Sequence, residues 1–208
     1  MSFGLHAYEH YWGTQGYHMI AGTDEAGRGP LAGPVVAAAV ILPVGLDIPY
    51  LNDSKKLMPR RREALFAEIM TKALAVAWSR VDEAEIDRLN IYAASRVAMI
   101  QALGGLKMPY DLVLSDAMPL QDLSVPCVPI IHGDALSASI AAASIIAKVV
   151  RDRIMTEFDV EFPQYGFCRH KGYGTSEHLA AIEQYGPCRI HRRSFAPIKS
   201  WRSPACED

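Results

Sequence analysis

Four carboxylates of this 208-residue chain fall where an apolar segment gives way to a turn. Asp24 and Glu25 follow the apolar residues 18–23, Asp116 follows 112–115, and Asp134 follows a segment ending at Ile131. Hard oxygen ligands of this kind suit Mg²⁺ or Mn²⁺ and not zinc. Two such ions about 4 Å apart could activate water and stabilise the leaving oxygen of a phosphodiester. Each acid taken alone also has a plainer reading. A lone Asp-Glu pair is a solvated turn, and Asp134 is placed to cap a helix starting near Ala135. Neighbours in a strand point to opposite faces, so at most one of Asp24 and Glu25 looks straight into a site unless the backbone turns. The recurrence of acids at strand ends, where ligand sites of open α/β sheets gather, favours the metal reading.

Other residues could handle a phosphate or a sugar. Gly27 and Gly29 flank Arg28 in Gly22-Thr-Asp-Glu-Ala-Gly-Arg-Gly-Pro30. The glycines permit a turn and a close backbone approach, and the guanidinium can grip a phosphate. The loop Asn52-Asp-Ser-Lys-Lys56 offers hydroxyl, amide and ammonium donors, including Ser54 and Lys56. Ser137, Ala141, Ser144 and Lys148 share one stripe of a helical segment, and Lys148 and Arg151 are long enough to reach a phosphate. Tyr173 lies between two glycines in a basic loop, where its ring could cover a sugar or base.

The elements that must position these groups follow from periodicity. Residues 18–23 read as a short strand, and 34–42 as a continuous apolar strand buried on both faces. Residues 60–77 read as a helix started by Pro59, although 75–81 also fits a strand. A second helix starts at a capping box of Asp82 and Glu85, carries Ile86, Leu89, Ala93, Val97 and Ile100 as one stripe, and stops at Gly104-Gly105. Strands at 111–115 and 127–131 precede a long helix over 135–158. Residues 163–174 read as a loop, 175–184 as a short helix, and the chain from Pro187 as basic and irregular. The pattern is α/β: a mixed central sheet flanked by helices, with a small C-terminal helical region. One catalytic domain is expected over 1–208, with a core at about 17–160, a helical and basic region at about 161–197 and a flexible tail at 198–208.

Bulk properties set bounds. Half of the residues are hydrophobic and the net charge is −2, so a nucleic-acid surface must be a local basic patch. The longest apolar run, residues 35–42, is too short to span a bilayer. The first 16 residues lack the pattern of an export signal. Cys127, Cys168, Cys188 and Cys206 form no CxxC pair, which fits reduced thiols and a cytoplasmic location.

Taken in order, Asp24-Glu-Ala-Gly-Arg-Gly-Pro30, Asn52-Asp-Ser-Lys-Lys-Leu57, Asp116, the segment from His132 to Arg153, and His170-Lys-Gly-Tyr-Gly-Thr-Ser-Glu-His178 closely resemble bacterial ribonuclease HII. The resemblance covers roughly residues 17–197. It implies the ribonuclease H-like fold and an endonuclease that cuts the RNA strand of RNA–DNA hybrids and the 5′ side of single ribonucleotides in duplex DNA, a step of ribonucleotide excision repair. It implies two divalent ions, Mn²⁺ or Mg²⁺, on Asp24, Glu25, Asp116 and Asp134. It also implies substrate contacts from Gly27, Arg28, Gly29, Ser54, Lys56 and Tyr173, to which the helix stripe adds Ser144 and Lys148. No membrane is implied, and a monomer is expected. The Gly-Arg-Gly string and the roughly 17 residues before the first strand argue against the sister class HIII.

Two rivals remain at this stage. One is a carboxylate-metal nuclease acting on DNA alone, such as a resolvase, which would not need a 2′-hydroxyl. The other is a non-catalytic zinc module built on Cys168-x-His170 and Cys188-x-x-His191, whose irregular spacing disfavours it. A serine hydrolase is weaker still, since no Gly-x-Ser-x-Gly elbow is present.

Overall fold

The computed structural model describes residues 4–52, 54, 57–121 and 123–201. Helix α1 (Ala7–Thr14) precedes strands β1 (Ile20–Ala26) and β2 (Val35–Ile41). Helix α2 (Pro59–Lys72), strand β3 (Ala75–Val81), and helices α3 (Glu83–Leu89) and α4 (Ile91–Gly104) follow. Strands β4 (Leu112–Asp116) and β5 (Cys127–Ile130) lead to the long helix α5 (Ala138–Glu161). Short helices α6 (Phe167–His170) and α7 (Ser176–Tyr185) close the fold. The five strands form one mixed sheet in the order β3-β2-β1-β4-β5. β1 pairs antiparallel with β2 and parallel with β4.

The continuous apolar run of β2 has a two-sided explanation. Val36, Ala38 and Val40 pack with Leu65 and Ile69 of α2 and with Ile145, Ile146 and Val149 of α5. Val35, Ala37, Ala39 and Ile41 pack on the other face with Ala94, Ala98, Met99 and Leu103 of α4. Both faces of the strand are dry, so neither parity can be polar. A further cluster joins Leu31 and Ala32 to Met155, Phe167, Ile182, Ile190 and Ile198, and so fastens the C-terminal region to the turn after β1.

Several boundaries differ from the sequence expectation. The segment 75–81 is a strand, pairing along its whole length with β2, and the preceding helix ends at Lys72. The helix expected from Asp82 to Gly104 is two helices. Asn90 breaks it with φ of 73°, and its side chain caps the second by accepting from the Ala93 N–H. That break rotates α4, so Ala94, Ala98, Met99 and Leu103 are buried while Val97 and Ile100 of the expected stripe are only partly covered. Residues 163–174 contain a 3-10 turn at Pro163–Tyr165 and α6, and are not wholly a loop. The sequence reading assigned α1 no element. Its Glu9 Oε1 accepts from the Ser137 hydroxyl and from the Ser139 N–H and hydroxyl, and so meets the start of α5 with a negative charge. Among the described residues no helix is long and apolar enough to cross a membrane.

α5 approaches β1 closely because Gly22 has no side chain. A Cβ there would lie 2.1 Å from the Ser139 carbonyl carbon and 2.4 Å from the Ile140 nitrogen, both backbone atoms. Gly22→Ala is therefore expected to cost about 2–4 kcal/mol and to lower the melting temperature by roughly 5–15 °C. Gly104→Ala, with open space around it, should leave the melting temperature unchanged or slightly higher. Calorimetry of the two variants checks the pair.

Candidate active site

The parallel register of β1 and β4 sets Gly22 level with Leu114. Two residues further on, the same pleat carries Asp24 and Asp116 side by side on the face covered by α5. The chain returns from β5 through His132, whose φ of 58° turns it sharply into a 3-10 turn at Gly133–Ala135. The Gly133 N–H donates to Asp116 Oδ1 at 2.8 Å, which pins this turn to the end of β4. One oxygen each from Asp24, Asp116 and Asp134 thereby falls within 4.8 Å of the others. Asp134 is not the helix cap that its position suggested. Ser137 caps α5, accepting from the Ile140 N–H, and Asp134 is left to the cluster.

Glu25, the next residue of β1, is not among the three converging acids, and its Oε1 accepts from Arg28 Nη1 at 3.3 Å. It still acts on the cluster electrostatically. Burial pushes the Asp24 carboxyl well above the usual carboxylate range, and the charges of Glu25 and then Asp116 push it further. Bonds from the Glu25 N–H and the Ser144 hydroxyl oppose that rise. The set fits a divalent cation, since the oxygens are hard donors and the buried charges repel one another.

The supporting residues are arranged in layers. Ser54 and Ser144 are buried and share a 2.7 Å hydrogen bond. They stand behind Asp24, with both side chains buried. Lys56 lies outside the described residues. Lys148 Nζ donates to Asp152 Oδ1 at 2.6 Å on the wall of a groove of about 810 Å³ that also includes Arg169, Lys171 and Tyr173. Arg151, expected to reach a phosphate, does not. It is buried and donates to the carbonyls of Pro34, Ala32 and Lys171. A separate cavity of about 370 Å³ lies beside α1 at the other end of β1, lined by Glu9, Tyr17 and Ile20.

The Gly-Arg-Gly turn is held from below by Arg192, which the sequence reading passed over. Its guanidinium donates to the carbonyls of Gly27, Arg28 and Gly33. Gly27 has φ of 100°, and a Cβ there would strike Arg151 Nε at 2.0 Å, so the turn needs glycine for both conformation and room. A Cβ on Gly29 would lie 3.6 Å from Tyr173 Cε1, so Tyr173 stands directly beside the turn with half its surface open. No local signal revealed Arg192, because its partners lie about 160 residues earlier in the chain. The histidines of the zinc alternative are engaged otherwise. His170 Nε2 bonds the Tyr165 carbonyl, and His191 bonds Cys188 and His178 through its two ring nitrogens.

Residues 21–198 match the family described as Ribonuclease HII. The chain belongs to the ribonuclease HII family. Ribonuclease HII of Ruminiclostridium cellulolyticum is 58% identical over 182 residues, 88% of this chain and 71% of that protein. Ribonuclease HII of Geobacter metallireducens is 52% identical over 200 residues, 96% and 94% of the two chains. Among solved structures, ribonuclease H2 from Pyrococcus horikoshii superposes with a TM-score of 0.74 at 25% identity, covering 87% of this chain and 95% of that one. The Bst-RNase HIII complex with Mn²⁺ shares the fold, with a TM-score of 0.59 at 20% identity over 87% of this chain and 68% of that one. The chain is thus a ribonuclease H enzyme with the ribonuclease H-like fold expected from its sequence.

The raised Asp24 carboxyl gives a stability prediction. Its folded pKa lies above the unfolded value of about 3.9, so folding favours the protonated form. The cost of the charge is absent below the unfolded pKa and is imposed as pH rises through the folded one. Metal-free Asp24→Asn should therefore melt higher than the parent at pH 7.5, by about 2–4 °C for each kcal/mol relieved, and the gain should shrink as pH falls toward 4. Added Mn²⁺ should raise the melting temperature of the parent more than that of the variant.

Proposed function

We propose that this protein hydrolyses the RNA strand of RNA–DNA hybrids and cuts on the 5′ side of single ribonucleotides in duplex DNA, leaving 3′-hydroxyl and 5′-phosphate ends. The observation that carries the reading is the adjacency of two devices: three converging carboxylates, and a glycine turn with Tyr173 beside it.

Asp24, Asp116 and Asp134, with Glu25 at the rim, would hold Mg²⁺ or Mn²⁺, as the Mn²⁺ complex of Bst-RNase HIII supports. Bound divalent ions supply an activated water for attack on phosphorus and stabilise the leaving oxygen. Ser144, backed by Ser54, orients Asp24. The backbone of Gly27 and Gly29 comes close enough to a ribose to bond its 2′-hydroxyl, the group that separates RNA from DNA. Arg28, nearly half exposed beside Glu25, can turn to a phosphate in a forked contact. The Tyr173 ring packs on the next sugar and favours deoxyribose, because an added hydroxyl would meet an apolar face. Lys148 lines the groove leading away from Tyr173 and serves a neighbouring phosphate.

Asp116→Asn keeps the shape and removes a charge. It should lower cleavage of a one-ribonucleotide duplex by more than about 100-fold with the circular dichroism spectrum unchanged. Near-parental turnover in Mg²⁺ would sink the assignment, and end-mapping that finds 2′,3′-cyclic phosphates would overturn the hydrolytic chemistry. Cleavage of the matching all-DNA duplex would favour the DNA-nuclease alternative. Tyr173→Ala should lose far more single-turnover rate than binding. If it cleaves as fast as the parent, Tyr173 is only a surface residue.

A further inference from the structure

His178 and His191 have no part in the chemistry above, yet both are almost wholly buried. Their hydrogen bonds form one chain with a single consistent set of protons. The Tyr173 carbonyl can only accept, so His178 Nδ1, 2.9 Å away, carries the hydrogen. In a neutral ring that leaves His178 Nε2 as an acceptor. His191 Nε2, 3.0 Å from it, must therefore donate. His191 Nδ1 is then an acceptor, and it receives the Cys188 thiol hydrogen across 3.1 Å. Burial holds both imidazoles neutral, His178 down at about 4 and His191 at about 3, and pushes the thiol up to about 11. His170 stacks on His178 at 4.5 Å and blocks sideways movement.

The far end of this chain is tied to the glycine turn. His191 forms an isolated β-bridge with Ala32, and the next residue, Arg192, grips the carbonyls of Gly27 and Arg28. Adjacent residues of one segment thus hold the Tyr173 loop through His178 and the Gly-Arg-Gly turn directly. Their spacing fixes where the Tyr173 ring stands relative to Gly29.

We propose that His178 is a positioning residue for junction reading: its Nδ1–H fixes the Tyr173 backbone, and hence the ring over the scissile region, while His191 and Cys188 fix the His178 tautomer. This rests on the reading of Tyr173 given above. An asparagine amide nitrogen sits close to where a histidine Nδ1 sits, whereas a glutamine amide extends to the Nε2 position. The test is single-turnover cleavage of a one-ribonucleotide duplex, with equilibrium binding of the same duplex, in the full-length enzyme. His178→Leu should slow cleavage by about tenfold or more with binding changed by less than about threefold, and His178→Asn should restore most of the rate. His178→Gln should be slower than His178→Asn, a comparison that stands even if His178→Leu does not fold. In a Tyr173→Ala background, His178→Leu should bring no further loss, since its effect passes through the missing ring. Equal rates for the asparagine and glutamine variants, or a loss that multiplies undiminished in the Tyr173→Ala background, would overturn the positioning role. If Tyr173→Ala is slow while His178→Leu keeps the parental rate, the positioning role alone falls. If Tyr173→Ala itself is as fast as the parent, the reading of Tyr173 falls as well.

Discussion

Like charges must be held together where solvent cannot separate them, and most of the fold answers to that need. Two ionised carboxylates whose nearest oxygens lie within 4.8 Å of each other repel by at least about 3 kcal/mol at an effective dielectric near 20. Flexible loops would relax apart under such a load. Here Asp24 and Asp116 stand on adjacent parallel strands, whose spacing the sheet ladder fixes. Asp134 is delivered by a turn hydrogen-bonded to Asp116 itself. α5 closes over them because Gly22 lets it approach backbone to backbone. The repulsion that burdens the metal-free protein would favour a divalent cation at this cluster, and the rigid scaffold keeps it from being dissipated.

A second electrostatic arrangement complements the first. Arg151 and Arg192 are buried under the turn after β1, where their guanidiniums donate to backbone carbonyls. Burial draws their pKa down to about 10 and about 9, still well above neutrality, so both remain charged. Two cations beneath a glycine turn make its outer surface favourable to phosphate, and the carboxylates a few residues away favour metal. On the proposed reading, a substrate backbone presented there would meet positive potential on one side and the carboxylate cluster on the other. The same guanidiniums stitch the turn to the C-terminal region, which explains why that small region packs so closely against the core.

The sequence showed the parts of this arrangement whose signals are local. The β2 run, the end of β4 at Asp116, the Asp82 cap and the start of α7 at Thr175 are all written in consecutive residues, and the structure has them, whereas β1 runs past Asp24 to Ala26 and Asp134 sits in a 3-10 turn beyond β5. Local reading failed where a backbone angle or a distant partner decides. Asn90 looks like an ordinary helix residue until its positive φ splits α3 from α4. Asp134 and Ser137 are both good caps, and only the pull of Asp116 on Gly133 assigns the cap to Ser137. Arg151 and Arg192 look like surface cations, because all but one of the carbonyls they bond lie more than 100 residues away.

The neutrality of the histidine chain has a consequence for selectivity. A cationic donor could hold the Tyr173 loop as firmly, but an unpaired positive charge beside it would attract any phosphate and raise binding without regard to the sugar. Imidazoles held as fixed neutral donors and acceptors place the ring with directional bonds and add no net charge. On the proposed reading, discrimination would then depend on the shape of the gap between Tyr173 and the glycine turn, where one hydroxyl more or less changes the fit. Net charge stays with Arg28, Lys148 and the buried guanidiniums, which treat all nucleic-acid backbones alike. Separating the two tasks among different residues lets affinity come from charge and choice of substrate come from geometry.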